Sequence, residues 1–503
     1  MERSSRFFSL YCPPGQDWSF FLLLAIGGYI LLVPSISVIP SLGPHNEKRA
    51  LQIGLLLLGG GVLLASRAAR RKWFAVFQGI PALAHWGLGA VLGFGILSSA
   101  LAPAQLYAFL ELGHFALLFV MAGIVASAIR GNGKQAERAI LGALVLSTLL
   151  YAVYFAVRYG GSLVVPELDT GQEIVSGFVN IRFFNQYQTW TLPLLVGSVL
   201  AIPKKWWVGR GVVFSLASLW WTLIFASNVR GTTLAIILGA VGTWLLFGNR
   251  ARRWLAVQTA AVTAGSGLYF FLFYLGGEVT PQVAERLGDI GQGGRPHYWM
   301  KCLEMAWMNP WLGVGPMHYA WPPNNFATGA HPHSAFFQWL AEWGVLSTTI
   351  MVSLAVWGGW SWMQQERDAE AGTEDLLTDV GSALVATALA GASHAMVSGL
   401  IVMPVSQVLL AVVGGWAWGR YQKSEGETLE SHFYIRPHVS LCVLLMGAMA
   451  IVGSSLRNLS TVEERREAFR ESVERQVYSP RYWTQGYIEV RDSSVIEQAR
   501  RDR

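Results

Sequence analysis

The stretch HPHSAFFQWLAEWG, residues 331–344, sets His331, His333, Gln338 and Glu342 beside a run of aromatic side chains. Histidine titrates nearest neutrality, so it suits taking a proton from a reacting hydroxyl. Ser334 has the chemistry of a helix N-cap, and Ser334, Gln338 and Glu342 then recur every four residues on one face of a helix, over about 12 Å. A carboxylate deep in an apolar helix turns toward a protein interior or a wet cavity, not toward lipid. Gln338 and Glu342 therefore either line such a cavity or tie neighbouring helices together. His333 lies just outside the cap and can reach solvent; His331, two residues earlier, points elsewhere.

Three arginines could supply the complementary chemistry. In DIGQGGRPHYWMKCLEMAWMNPWLGVGP a glycine-rich turn precedes a helix that runs from Pro296, a favoured first-turn residue, to Met308, where Asn309 and Pro310 stop it. Arg295 thus sits at a helix N-terminus, where backbone N–H groups, the positive end of the dipole and a guanidinium together suit a phosphate. Arg230 lies in SNVRGTT, a very short connection that holds it at the membrane surface, either as an anchor to ordinary phospholipid or as part of a site. Arg182 opens NIRFFNQYQTWTLPLL, where Asn185, Gln186, Gln188, Thr189 and Thr191 make the start of a span too polar to face lipid and predict a cavity wall.

The elements that must position these residues are membrane helices. Of 503 residues 53% are hydrophobic and 14% charged, against about 25% charged in a typical soluble domain. Apolar runs of roughly 20 residues, enough to cross ~30 Å of hydrocarbon, predict thirteen spans, within a range of 12–14. They lie near 19–39, 50–67, 82–101, 106–129, 138–158, 186–203, 207–226, 231–248, 254–276, 334–362, 377–400, 403–421 and 437–456. The fold class is accordingly all-α and polytopic.

Basic residues in short loops set the orientation. Arg67, Arg70, Arg71 and Lys72; Arg130, Lys134 and Arg138; Lys204, Lys205 and Arg210; Arg250, Arg252 and Arg253; and Arg420, Lys423 and Arg436 fall on one side if the N-terminus is cytoplasmic and thirteen spans follow. Connections 159–185 and 277–333 and the tail from 457 then face outward. The net charge of +6 is mostly this topology and carries no indication of nucleic-acid binding. The chain divides into a membrane core, 1–456, with its long outer loop 277–333, and a tail, 457–503. Ser460 and Glu463 form a capping-box pattern opening a charged helix with an apolar edge at Val462, Phe469, Val473 and Val477. It is expected to lie on the outer membrane face or pack on the loop. Cys12, Cys302 and Cys442 are scattered and form no disulfide framework or metal pair, and Glu167 with Asp169 read as an ordinary acidic loop.

GGRPHYW, NPWLGVGP and HSAFFQWLAEWG, in that order on a long outer loop, resemble the signature of the O-antigen ligase superfamily, which includes O-antigen ligases, O-antigen polymerases and the O-oligosaccharyltransferases that glycosylate pilins. SNVRG resembles that group's SRG, with a valine inserted before the arginine. RFFNQY resembles its FGNPNQ-like stretch, and HPHS stands where the group has a plainer HN, leaving His331 and His333 both open.

The resemblance implies a glycosyltransferase C-like protein of the bacterial inner membrane. It would move a glycan from an undecaprenyl diphosphate carrier to an acceptor hydroxyl at the periplasmic face, with no metal and no cofactor. Arg230 and Arg295 would stabilise the departing diphosphate and His333 would take the acceptor's proton. Arg182, Asn185, Gln186, Gln338, Glu342 and His331 would bind or support substrate. A lipid A core acceptor (ligase) and a pilin serine or threonine (protein glycosylation) rank nearly level, a lipid-linked repeat (polymerase) third and a transporter or flippase last. Transporters concentrate charge near the midplane, whereas this chain gathers its chemistry at one face.

Overall fold

The structure is a computed structural model that describes residues 18–165, 177–275, 295–321, 324, 329–369, 376–421, 437–473, 480–484 and 486–488. Regular structure among the described residues is entirely helical. In chain order the helices are α1 (Trp18–Leu32), α2 (Gly43–Ala65), α3 (Arg67–Gln78), α4 (Ala82–Leu101), α5 (Gln105–Asn132), α6 (Lys134–Val164), α7 (Ile181–Ala201) and α8 (Trp207–Ser227). They continue as α9 (Arg230–Phe247), α10 (Arg252–Tyr269), α11 (Arg295–Met308), α12 (Ala335–Ala369), α13 (Leu376–Ala395), α14 (Pro404–Arg420), α15 (Pro437–Ser454) and α16 (Val462–Val473). Each of the thirteen expected spans coincides with one of these, and the chain is an all-α polytopic membrane protein.

Among the described residues, eight stretches are long and apolar enough to cross a bilayer on their own composition, one of them containing both α9 and α10. The four expected spans that fall short are α1, α7, α13 and α14. For α7 the reason is position. Eighteen of its 21 residues are buried, because α13, α8 and α14 surround it. A helix sheathed by other helices needs no apolar outer face, so its polar residues are compatible with crossing. The packing of α14 on α5 uses small residues: a Cβ on Gly415 would lie 2.4 Å from the Ala122 carbonyl oxygen. This close backbone approach is how helices associate where lipid removes the hydrophobic drive.

The basic run at 67–72, read as a loop, is part of α3, whose Ser66 cap accepts from the Ala69 N–H at 3.2 Å. Trp73, Phe74 and Val76 are buried on one side, while Arg67, Arg71 and Lys72 are exposed on the other.

Direct contacts gather the basic connections at 130–138, 250–253 and 420–421 at one end of the bundle. Arg420 pairs with Glu137 of α6 at 3.3 Å and with Glu366 of α12 at 3.2 Å. Arg130 donates to the Tyr421 carbonyl, Arg250 to that of Arg367 and Arg210 to that of Val199. About 28 Å of α5 separate Arg130 here from Glu111 toward the opposite end, where the histidines lie. Lys423, Arg436, Glu167 and Asp169 fall outside the described residues.

Candidate active site

Three helix N-termini carry the three arginines. Arg182 is the second residue of α7, whose cap Asn180 accepts the Arg182 N–H at 2.9 Å. Arg230 opens α9, after Asn228 in the left-handed conformation (φ 51°) has ended α8. Arg295 opens α11. A cation in the first turn opposes the helix dipole, an arrangement that an anion between the helices would relieve.

The histidine loop meets two of these arginines. Trp299 of α11 donates to the Pro332 carbonyl at 3.2 Å and stacks on Phe337 of α12 with ring centroids 5.2 Å apart. Tyr298 lies 5.8 Å from the His333 ring. His333 is half-buried; burial, then the charges of Arg182 and Arg295, push its pKa down to about 3. Burial and then the Arg182 charge also lower that of Arg295. Arg230 is brought to the same region through its neighbour: a Cβ on Gly231 would lie 3.3 Å from His394 Nε2, and Arg295 is within electrostatic reach of that imidazole. Arg182 and Arg230 are exposed.

His331 and His333 are in contact, ring centroids 4.2 Å apart. His331 is buried, and its Nδ1 accepts the His333 backbone N–H at 3.3 Å. Its proton therefore resides on Nε2, which has no hydrogen-bond partner among the described residues. Burial, followed by the charges of His333, Arg481, Arg182 and His45, holds the His331 pKa well below the ordinary value. His333 itself adopts φ 56°, a conformation costing an L-residue about 1–2 kcal/mol.

Ser334 caps α12 by accepting the Phe337 N–H at 3.4 Å, and Gln338 donates to Glu342 at 3.3 Å. Glu342 also accepts the Tyr319 N–H at 3.0 Å. Two residues on, α12 is interrupted at Gly344 (φ 74°). The NPWLGVGP turn fills this break. Val314 N–H donates to the Ala341 carbonyl, Gly315 N–H to that of Glu342, and Val345 N–H to that of Pro310. Cβ atoms would collide on both sides, 2.4 Å from the Glu342 carbonyl carbon at Gly313 and 2.5 Å from the Trp311 oxygen at Gly344.

The polar start of α7 is packed between helices. Asn185 donates to Gln188 at 2.6 Å and to Ser227 at 3.0 Å. Thr189 meets His394 at 2.7 Å and Gln188 donates to the Trp220 carbonyl. Gln186 donates to Ser398 at 3.0 Å, leaving its Oε1 buried without a partner. His331 lies against the adjoining Gly399.

Two sets of residues have no counterpart among the sequence-derived candidates. His318, buried in the loop, donates from Nδ1 to Pro316 and accepts the Ala104 N–H on Nε2, which fixes it as neutral; burial lowers its pKa to about 4. The other is a tail segment, 480–488, that returns into this end of the core. Arg481 is 3% exposed and bridges Glu111 of α5 and Glu342 of α12, each at 2.7 Å. Tyr482 lies under the guanidinium of Arg49, which with His45 donates to its carbonyl. The signal available was HNEKR, residues 45–49, where five consecutive polar residues open a membrane helix and all are buried. Among the described residues no three His, Cys, Asp or Glu side chains converge as metal ligands.

No curated protein gives a significant match to the chain. Residues 212–352 match the family model described as O-antigen ligase. This stretch, which holds Arg230, Arg295, His331, His333 and Glu342, is thus similar to the O-antigen ligase family.

Proposed function

We propose that the protein transfers a glycan from an undecaprenyl diphosphate carrier to an acceptor hydroxyl, as an O-antigen ligase does, at the periplasmic face of a bacterial inner membrane. The carrying observation is the meeting of cationic helix N-termini with a half-buried imidazole: the charges of Arg182 and Arg295 both act on His333. The acceptor oxygen attacks the anomeric carbon as the bond to the diphosphate breaks. His333 takes the acceptor proton, and the arginines, with Arg230 at the rim, receive the negative charge that grows on the leaving group. A single displacement of this kind inverts the anomeric centre.

Donor and base are coupled by charge. Without donor, burial and, after it, the two guanidiniums keep His333 neutral but weakly basic. A bound diphosphate offsets those charges, so the imidazole becomes more basic when a proton needs taking. The buried pair Gln186 and His331, both carrying unpartnered polar atoms beside residues 398–399, supplies positions for sugar hydroxyls.

The test is transfer by purified protein in nanodiscs, given a labelled polyprenyl diphosphate glycan and, in parallel, lipid A core, pilin or a second lipid-linked repeat. The reading predicts product on lipid A core. Product on pilin or on the repeat moves the assignment within the superfamily, and movement of donor across the membrane without transfer overturns it.

A further inference from the structure

The histidine loop holds a strained residue, His333, against a charged surface. What fixes it comes from more than 130 residues further along the chain. Segment 480–488 touches the loop at both ends. Near its start the Ile488 N–H donates to the Ala320 carbonyl at 2.9 Å. Two residues before His331, the Gly329 N–H donates to the Tyr487 hydroxyl at 3.2 Å. Beyond the histidines, Arg481 grips Glu342, and Glu342 in turn holds the Tyr319 N–H and the Gln338 amide. The same guanidinium is anchored to Glu111, so the start of α12 is tied to α5 through a single buried cation. The rest of the segment is locked to α2: Thr484 exchanges two hydrogen bonds with Asn46, both at 2.9 Å.

We infer that this C-terminal segment is a strap that positions the histidine loop for transfer, with Arg481 as its positioning residue acting through Glu342. The inference rests on the transferase reading for its kinetic consequences but not for its structural ones. Arg481 touches no reacting group; it sets where α12 begins and hence where His333 stands relative to Arg182 and Arg295. Its charge is also felt at His331 and His318. A surface tail would show none of this, because exposed ion pairs are worth little, whereas a guanidinium shared between two buried carboxylates cannot be removed without leaving them uncompensated.

The test compares wild type with Arg481→Lys, Arg481→Gln and the doubly substituted Glu342→Gln/Arg481→Gln protein, which relieves one stranded carboxylate if Arg481→Gln alone folds poorly. Amide hydrogen exchange across residues 318–334 is read by mass spectrometry alongside transfer kinetics per folded molecule. The strap predicts at least tenfold faster exchange in 318–334 for both glutamine variants, with the basic end of the bundle unchanged. It also predicts kcat lowered at least tenfold with donor KM within about twofold, and partial rescue by lysine. Unchanged exchange at 318–334, or wild-type kcat in the folded double variant, overturns it. If wild type transfers nothing while exchange rises as stated, the function reading falls and the strap stands.

Discussion

The backbone N–H of His333 points at Nδ1 of His331, 3.3 Å away. One imidazole is thereby used as an acceptor to hold the backbone of the other in a left-handed conformation, and the two histidines stand in different surroundings. His333 faces Tyr298 and the arginines; His331 is buried behind it. His333→Ala should therefore abolish transfer with expression and donor binding intact. His331→Ala should reduce transfer about tenfold or more, with lower thermal stability as well. Equal, fold-independent loss in both would assign them the same task, which this geometry does not support.

The arginines should be separable by role. Removing one electrostatic donor to a developing oxyanion typically costs ~10² to 10³ in rate. Arg295→Gln and Arg182→Gln are expected in that range, with the loss in kcat rather than KM; Arg230→Gln, at the exposed rim, should weaken donor binding more than it slows turnover. Single-turnover rates and donor titrations check both.

A pH profile follows from the charges around His333. Its depressed pKa means that the free protein keeps a neutral base well below pH 6, so kcat/KM should show no His333 acid limb until the pH nears the lowered value, about 3. Bound diphosphate counters Arg182 and Arg295 and raises the imidazole pKa, so the acid limb of kcat should lie at higher pH than that of kcat/KM. Arg295→Gln removes one of the depressing charges and should move the kcat/KM limb upward.

Most of the membrane helices were legible because lipid demands apolar length, and the loop motifs could be read because turn residues and caps act locally. The strap was not. Arg49 meets Tyr482 and Glu342 meets Arg481, pairings whose sequence separations exceed any local pattern, and Arg481 by itself reads as one more surface charge on a polar tail. The helix break at Gly344 was hidden for a related reason. Its carbonyl partners come from the Pro310–Gly315 turn, so AEWGVL alone looks like uninterrupted helix.

That break is testable. Gly344→Ala should lower thermal stability and transfer together, because the residue needs φ 74° and its Cβ would meet the Trp311 carbonyl. Gly414→Ala, where a Cβ meets nothing within 4 Å, should change neither. Thermal unfolding followed by light scattering distinguishes the two.

Metal independence is a further expectation of the transferase reading, since the arginines take the role of a divalent cation at the diphosphate. Transfer should persist in excess chelator; complete loss restored by a divalent ion would require a different account of charge stabilisation.

The most direct test is a reconstituted assay that counts, together, glycan joined to acceptor and polyprenyl diphosphate released, for wild type and for His333→Ala. The account predicts equal amounts of both products from wild type and neither from the variant, although the variant still binds donor. Stoichiometric transfer by His333→Ala at the wild-type rate would contradict it.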